Sequence, residues 1–281
     1  MSLKQLPEIR ADHRLAKAGF DLRPDAVDRW EPAVCAAVDD PDKSISIYDA
    51  IGENWEGTGV TAKRISAALR NIGPKDITVN INSPGGDFFE GMAIYNLLRE
   101  HKAKVTVHVL GVAASAASVI AMAGDEILMG DGSFLMIHNA WAVAVGNRHD
   151  MTDTAAVLAL FDAAMASLYA AQAGIDEREA AKLMDQETWI GAQRAVDDGF
   201  ATGLLRSSDI TRSAQASASR KPMALIEAAM AKSGYSRSAR RDAFKALFSN
   251  DKPGAVDPPA KPSAGHEVAA SLHSLLNTLR S

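Results

Sequence analysis

Three short segments hold the residues of this chain whose types and spacing could break an acyl bond. Ser115 lies in Gly111-Val112-Ala113-Ala114-Ser115-Ala116-Ala117-Ser118, where a strand-like run ends and an apolar helix begins. His138 follows in Met136-Ile137-His138-Asn139-Ala140, and the turn Asn82-Ser83-Pro84-Gly85-Gly86 precedes both. Amide hydrolysis needs an activated nucleophile, a base that returns its proton to the leaving amine, and donors for the tetrahedral oxyanion. A serine at a helix start sits among backbone N–H groups that no helical carbonyl uses, and the helix dipole favours negative charge there. Ala116 would supply one such N–H. The Pro84-Gly85-Gly86 turn can bring another, because glycine lets the backbone approach a ligand closely. Taken singly the signals are weak, since a serine in an alanine-rich turn is a packing residue in most proteins. A lone histidine after apolar residues is usually structural.

The elements that must position these residues follow from periodicity. Ser44 to Tyr48 alternates as a strand, and Thr61 to Ile72 carries Ile65, Ala68, Leu69 and Ile72 at helical spacing before Gly73-Pro74. Ile77 to Ile81 reads as a strand, Phe88 to His101 as a helix and Lys104 to Leu110 as a strand; a short buried helix spans Ala114 to Ala123. Glu126 to Met129 and Phe134 to Ile137 read as strands around Gly130-Asp131-Gly132. A long helix runs from about Asp150 to Ala173 and stops at Gly174; shorter ones cover Asp176 to Met184 and Ala192 to Asp198. Strands alternating with helices imply crossover connections and a largely parallel, covered sheet.

The chain has 281 residues, 47% hydrophobic and 23% charged, with a net charge of −5. That composition fits a globular α/β protein and speaks against a nucleic-acid binder. Cys35 is the single cysteine, so no intrachain disulfide can form, and a cytoplasmic, reducing setting is expected. The apolar stretch Thr154 to Ala173 is broken by Asp162, Ser167 and Gln172 and reads as a packed helix rather than a membrane span. No metal-ligand motif or phosphate-binding loop stands out, so no cofactor is expected. Three regions are expected: an N-terminal segment (1–43), a folded domain (44–206) and a C-terminal extension (207–281). Residues 206–252 hold ten Lys/Arg against four Asp/Glu, about +6, leaving about −11 elsewhere. Ser207 to Ser219 reads as a flexible linker, Ala224 to Ala231 and Ser238 to Phe248 as short helices. Asp251 to Gly265 reads as a Pro-rich spacer and Val268 to Leu279 as a final amphipathic helix.

In their order and spacing, the three chemistry-bearing segments closely resemble the signature segments of the Clp protease proteolytic subunit (ClpP) family, from about Ile45 to Leu205. The resemblance implies a ClpP/crotonase-like spiral of β-β-α units with a protruding helical handle (here Asp150 to Ala173), followed by a partly disordered extension. It implies a serine endopeptidase acting on proteins or peptides, with Ser115 as nucleophile, His138 as base, and Gly86 and Ala116 as oxyanion donors. It also implies homo-oligomeric rings, a heptamer or double heptamer. Where the family has an aspartate this chain has Glu187, and Asp185 two residues earlier is the alternative acid. The basic extension, the N-terminal forty residues, Arg29-Trp30-Glu31 and Glu53-Asn54-Trp55 look more like ClpP-related proteases of tailed phages and prophages. That branch implies capsid or scaffold substrates in head maturation. The alternatives are a housekeeping-type subunit fed by an ATP-driven unfoldase, a Ser-Lys relative, a crotonase-type acyl-CoA enzyme, and an inactive ring scaffold.

Overall fold

The computed structural model describes residues 18–20, 22–38, 40, 42–54, 59–212 and 217–248. Trp55, the expected spacer at Asp251 to Gly265 and the expected helix at Val268 to Leu279 lie outside the described residues. Three short elements precede the main sheet: β1 (Ala18–Phe20), α1 (Pro24–Arg29) and β2 (Val34–Ala36). Pro24 opens α1, a position where a missing N–H leaves no helical bond unmade.

The main sheet begins with β3 (Ser44–Ile47), α2 (Ala62–Ile72), β4 (Ile77–Ser83), α3 (Phe88–Arg99) and β5 (Val105–Ala114). Thr61 caps α2 by accepting from the Arg64 N–H, and Asp87 caps α3 by accepting from the Glu90 N–H at 3.0 Å. β3, β4 and β5 pair in parallel, which their helical crossovers require. α4 (Ala116–Ala121) then leads to β6 (Glu126–Met129) and β7 (Phe134–Ile137). β5 serves two neighbours. Its residues Thr106–Val109 pair in parallel with β6, and Val112–Ala114 pair in parallel with β7.

The chain continues through β8 (Ala142–Ala144), α5 (Arg148–Ala173), α6 (Glu177–Asp185), β9 (Thr188–Gly191), α7 (Ala192–Asp197) and β10 (Gly203–Leu204). β9 pairs antiparallel with β7, and β10 pairs parallel with β6. Asn147 and Asp150 form a capping box at the start of α5, and Gly174 ends it in the left-handed conformation. By length and composition α5 could cross a membrane. Here its Val157, Phe161, Met165 and Tyr169, each four residues apart, are buried in the core formed by the sheet.

The C-terminal extension is more ordered than its composition implies. Ser207–Asp209 is a 3-10 turn rather than linker, and β11 (Ile210–Arg212) pairs antiparallel with β2. α8 (Ser217–Lys232) and α9 (Arg237–Phe248) contain both short helices read from the sequence. These helices are a described part of the extension expected to be partly disordered. Ala224 and Ala228 give α8 an apolar face, which is buried in one cluster with Leu22, Ala26, Val27 and Trp30 of the N-terminal segment. The same cluster includes Val112, Ala114 and Met136 of β5 and β7.

Trp30 joins the two ends to the sheet. It is fully buried, and its indole N–H donates to the Asn82 carbonyl at 3.0 Å. Trp30→Ala is expected to lower the unfolding free energy by about 3–5 kcal/mol, read from denaturant midpoints; a loss below ~1 kcal/mol would mean that the N-terminal segment is not part of the cooperative core.

Candidate active site

β5 and β7 run in register with Ala114 opposite Met136, so the residues just past their ends leave the sheet side by side. Those residues are Ser115 and His138. The Ser115 N–H donates to the Met136 carbonyl at 2.9 Å, and its carbonyl accepts from the N–H groups of Ser118 and Val119 at 2.9 and 3.2 Å. That carbonyl also accepts from the Ser118 hydroxyl at 2.6 Å, and the Ser118 hydroxyl bonds the buried Tyr169 hydroxyl of α5 at 2.8 Å. Ser115 itself has φ 55° and ψ −124°, a backbone conformation that residues with a side chain rarely adopt. Among the described residues only one other non-glycine has positive φ, and it is Glu187, at 50°.

The Pro84-Gly85-Gly86 turn packs directly on the serine. Gly85 has φ 90°, and a Cβ there would lie 2.7 Å from the Ser115 Cβ and 2.5 Å from the Ala114 carbonyl oxygen. The turn is fixed by Ile51, whose N–H donates to the Gly85 carbonyl at 2.8 Å and whose carbonyl accepts from the Asp87 N–H at 2.9 Å. That ladder does not use the Gly86 N–H. The Ala116 N–H, first in α4, has no helical carbonyl one turn back to bond. The two expected oxyanion donors thus belong to turns in contact beside Ser115. Buried Asn82 braces the arrangement: its Oδ1 accepts from the Val112 N–H at 3.1 Å, and its Nδ2 donates to the carbonyls of Glu31 and Val34. Gly111 must lack a side chain here, because a Cβ would fall 2.7 Å from Asn82 Oδ1.

His138 is 5% exposed. Burial, and secondarily the charge of Arg23, lowers its pKa to about 4, against the opposing charges of Glu187 and Asp25 and the backbone of Asn139. Glu187 is thus the expected acid whose charge reaches His138. Asp185 instead accepts from Asn139 Nδ2 at 2.7 Å. Neither the Ser115–His138 nor the His138–Glu187 hydrogen bond is formed. Glu187 gives both carboxylate oxygens to Arg23, at 2.5 and 2.8 Å, and that bond holds its pKa below the usual carboxylate range. Arg23 also donates through Nε to Asp25 at 2.9 Å.

The profile of the Clp protease family matches residues 42–208. The chain belongs to the Clp protease family. An ATP-dependent Clp protease proteolytic subunit 2 of Treponema denticola is 32% identical over 135 residues, which is 47% of this chain and 68% of that protein. The ATP-dependent Clp protease proteolytic subunit of Ligilactobacillus salivarius is 33% identical over the same length and shares. A solved ClpP1 mutant from Listeria monocytogenes superposes with a TM-score of 0.50 at 21% identity, covering 59% of this chain and 92% of its own. That likeness confirms the mixed α/β fold built on a parallel sheet. The family is one of serine peptidases, so the chain is a ClpP-family serine protease.

Within this family member, the sequence signals missed Arg23, Asp25 and Tyr169. Arg23 and Glu187 are 164 positions apart, and nothing local to either residue marks the pair. Cys35 lies half-buried on β2.

A buried histidine that stays neutral makes stability depend on pH. In the unfolded chain the imidazole takes up a proton near pH 6.5, whereas in the fold it resists until about 4. Stability attributable to His138 is therefore complete above pH 6.5 and lost as pH falls through that window, by about 3 kcal/mol at pH 4. Comparing unfolding free energies of the parent and His138→Gln proteins from neutral pH to pH 4 should show their difference shift by about that amount; a constant difference would refute the buried, neutral state.

Proposed function

We propose that this chain is the proteolytic subunit of a ring-forming serine endopeptidase, with Ser115 as nucleophile, His138 as base and Glu187 as the orienting acid. The observation that carries the reading is the strained Ser115 backbone, tied by its N–H to the strand that delivers His138. Strain of this kind clusters where a side chain must be aimed. The serine hydroxyl attacks the substrate carbonyl while His138 Nε2 takes its proton. The N–H groups of Gly86 and Ala116 receive the oxyanion. The imidazolium then protonates the leaving amine, and water, activated by the same imidazole, hydrolyses the acyl-enzyme. Glu187 orients the ring by accepting from Nδ1–H. The shared positive φ of Ser115 and Glu187 favours Glu187 over Asp185 for this role.

The names of the relatives, ATP-dependent Clp protease proteolytic subunits, favour a subunit of an ATP-dependent protease over the head-maturation role, and a cytoplasmic setting is part of this proposal. α5 is the handle through which rings would meet. One observation keeps the phage-type reading in view: two ordered segments lie outside the matched residues 42–208 and pack on each other.

Fluorophosphonate labelling and peptide hydrolysis test the assignment. Ser115→Ala should abolish labelling, and His138→Ala should lower hydrolysis by roughly six orders of magnitude. Glu187→Gln should lower it by about 10²–10⁴, while Asp185→Asn leaves it near the parent rate. The reverse order for the two acids would reassign the triad. Degradation of a folded substrate only when a bacterial Clp ATPase and ATP are added would support the subunit reading. Cleavage of co-expressed capsid or scaffold proteins without one would support head maturation.

A further inference from the structure

A cavity of about 890 Å3 opens between Arg29, Glu31, Phe134, Trp189 and Arg212, and includes none of Ser115, His138 and Glu187. A second, smaller cavity lies beside the Pro84-Gly85-Gly86 turn. Next to Gly86 and Asp87 it amounts to about 30 Å3, and its other walls include Leu22, Glu227, Ala231 and Arg237. That is room for a water or two. A peptide does not enter that space while Leu22 of the N-terminal segment and Glu227, Ala231 and Arg237 of the C-terminal helices stay in place.

We propose that residues 18–20 and 22–30 act as an intramolecular strap that closes the site, with β1 occupying the edge of β8 and Arg23 drawing Glu187 away from His138. This rests on the serine-protease reading of the site. β8 starts four residues after His138, and β1 pairs with it antiparallel, Ala18 opposite Ala144 and Phe20 opposite Ala142. Among the described strands β1 is the only partner of β8. A free edge beside a catalytic base is where an extended peptide adds by main-chain bonds, so the strap uses the groups a substrate would use. Three residues beyond β1, both terminal nitrogens of Arg23 hold the Glu187 carboxylate. The imidazole then lacks its acid partner and faces a cation as well.

The strap is fastened from behind by the other end of the chain. α8 buries Ala224 and Ala228 in the cluster of Leu22, Ala26, Val27 and Trp30, and Lys221 Nζ donates to the Asp28 carbonyl at 2.6 Å. Arg237 pairs with Asp87, the residue after Gly86, at 2.6 Å. The charged groups acting on His138 are Arg23 and Asp25, at the start of α1, and Glu187, between α6 and β9. Lifting the strap moves the first two and releases the third.

The test is the rate at which a fluorophosphonate acylates Ser115 in the full chain, followed across pH. Arg23→Gln removes the latch. Gly19→Pro puts a proline at the centre of the three-residue β1, which disfavours its pairing with β8, and so reports independently should Arg23→Gln fold poorly. Both should acylate about tenfold faster than the parent, the change expected when a closed state loses one decade of its advantage. In Arg23→Gln the acid limb should also move to higher pH, since no cation then opposes the imidazolium. Parent rates in both variants would overturn the strap. So would slower acylation in Arg23→Gln that Arg23→Lys restores, which would make Arg23 a positioning residue. Absence of labelling in all three proteins would instead overturn the protease reading, and the strap with it.

Discussion

The chain must leave β5 at Ser115 through a conformation that costs a residue with a side chain about 1–3 kcal/mol. Much of the surrounding sequence serves that constraint. The Ser115 N–H is tied to Met136, and its carbonyl is held by Ser118, itself backed by Tyr169 from α5. Close approach on every side explains the small residues. Gly85 must clear Ser115, Gly111 must clear Asn82, and a Cβ on Gly91 of α3 would lie 2.9 Å from the Ala116 Cβ. The alanines around the serine are there because α3, α4 and the turn at Gly85 share one narrow space. A larger side chain would have to push strand against helix, and interiors packed at crystal-like density do not absorb such a push cheaply.

The chain's charge asymmetry has a structural meaning that composition alone misassigns. The basic stretch after residue 206 could serve an acidic partner, but part of that partner is the chain itself. Lys221 and Arg220 donate to the carbonyls of Asp28 and Tyr48, and Arg237 pairs with Asp87. Asp87 is only 12% exposed in this pair, so the contact is better shielded from salt than a surface ion pair. The extension is therefore attached to the core by apolar packing in the middle of α8 and by cations at its start and beyond its end.

What the sequence made legible was whatever is encoded within a few residues. The strands Glu126–Met129 and Phe134–Ile137, the caps Thr61 and Asp176 and the stop at Gly174 all follow from local pattern. β5 runs four residues further than its alternation implied, because the second half pairs with β7 and is buried on both faces, which erases the alternation. The order inside the N-terminal segment was not legible. Three-residue strands and a six-residue helix carry almost no periodic signal, and their stability comes from partners far along the chain. Of the two candidate acids, counting from Ala192 reached Glu187; what separates it from Asp185 is its charge acting on His138 and its positive φ, and no local pattern encodes either.

The closed arrangement also carries an energetic asymmetry. A general base works best with a pKa near the working pH, and His138 at about 4 is a poor acceptor at neutrality. Burial is the larger cause, and whatever part of it the strap supplies goes when the strap lifts. The charge of Arg23 is the second cause, and the same motion removes it. The third change, a carboxylate freed to meet the imidazole, again favours the protonated form. These changes favour the imidazolium, against the departure of Asp25 with the strap, and each pKa unit recovered is worth about 1.4 kcal/mol of imidazolium stabilisation. With the strap we propose, opening the edge of β8 and restoring the base are therefore a single event: whatever displaces residues 18–20 and 22–30 would admit a peptide and make the serine reactive together.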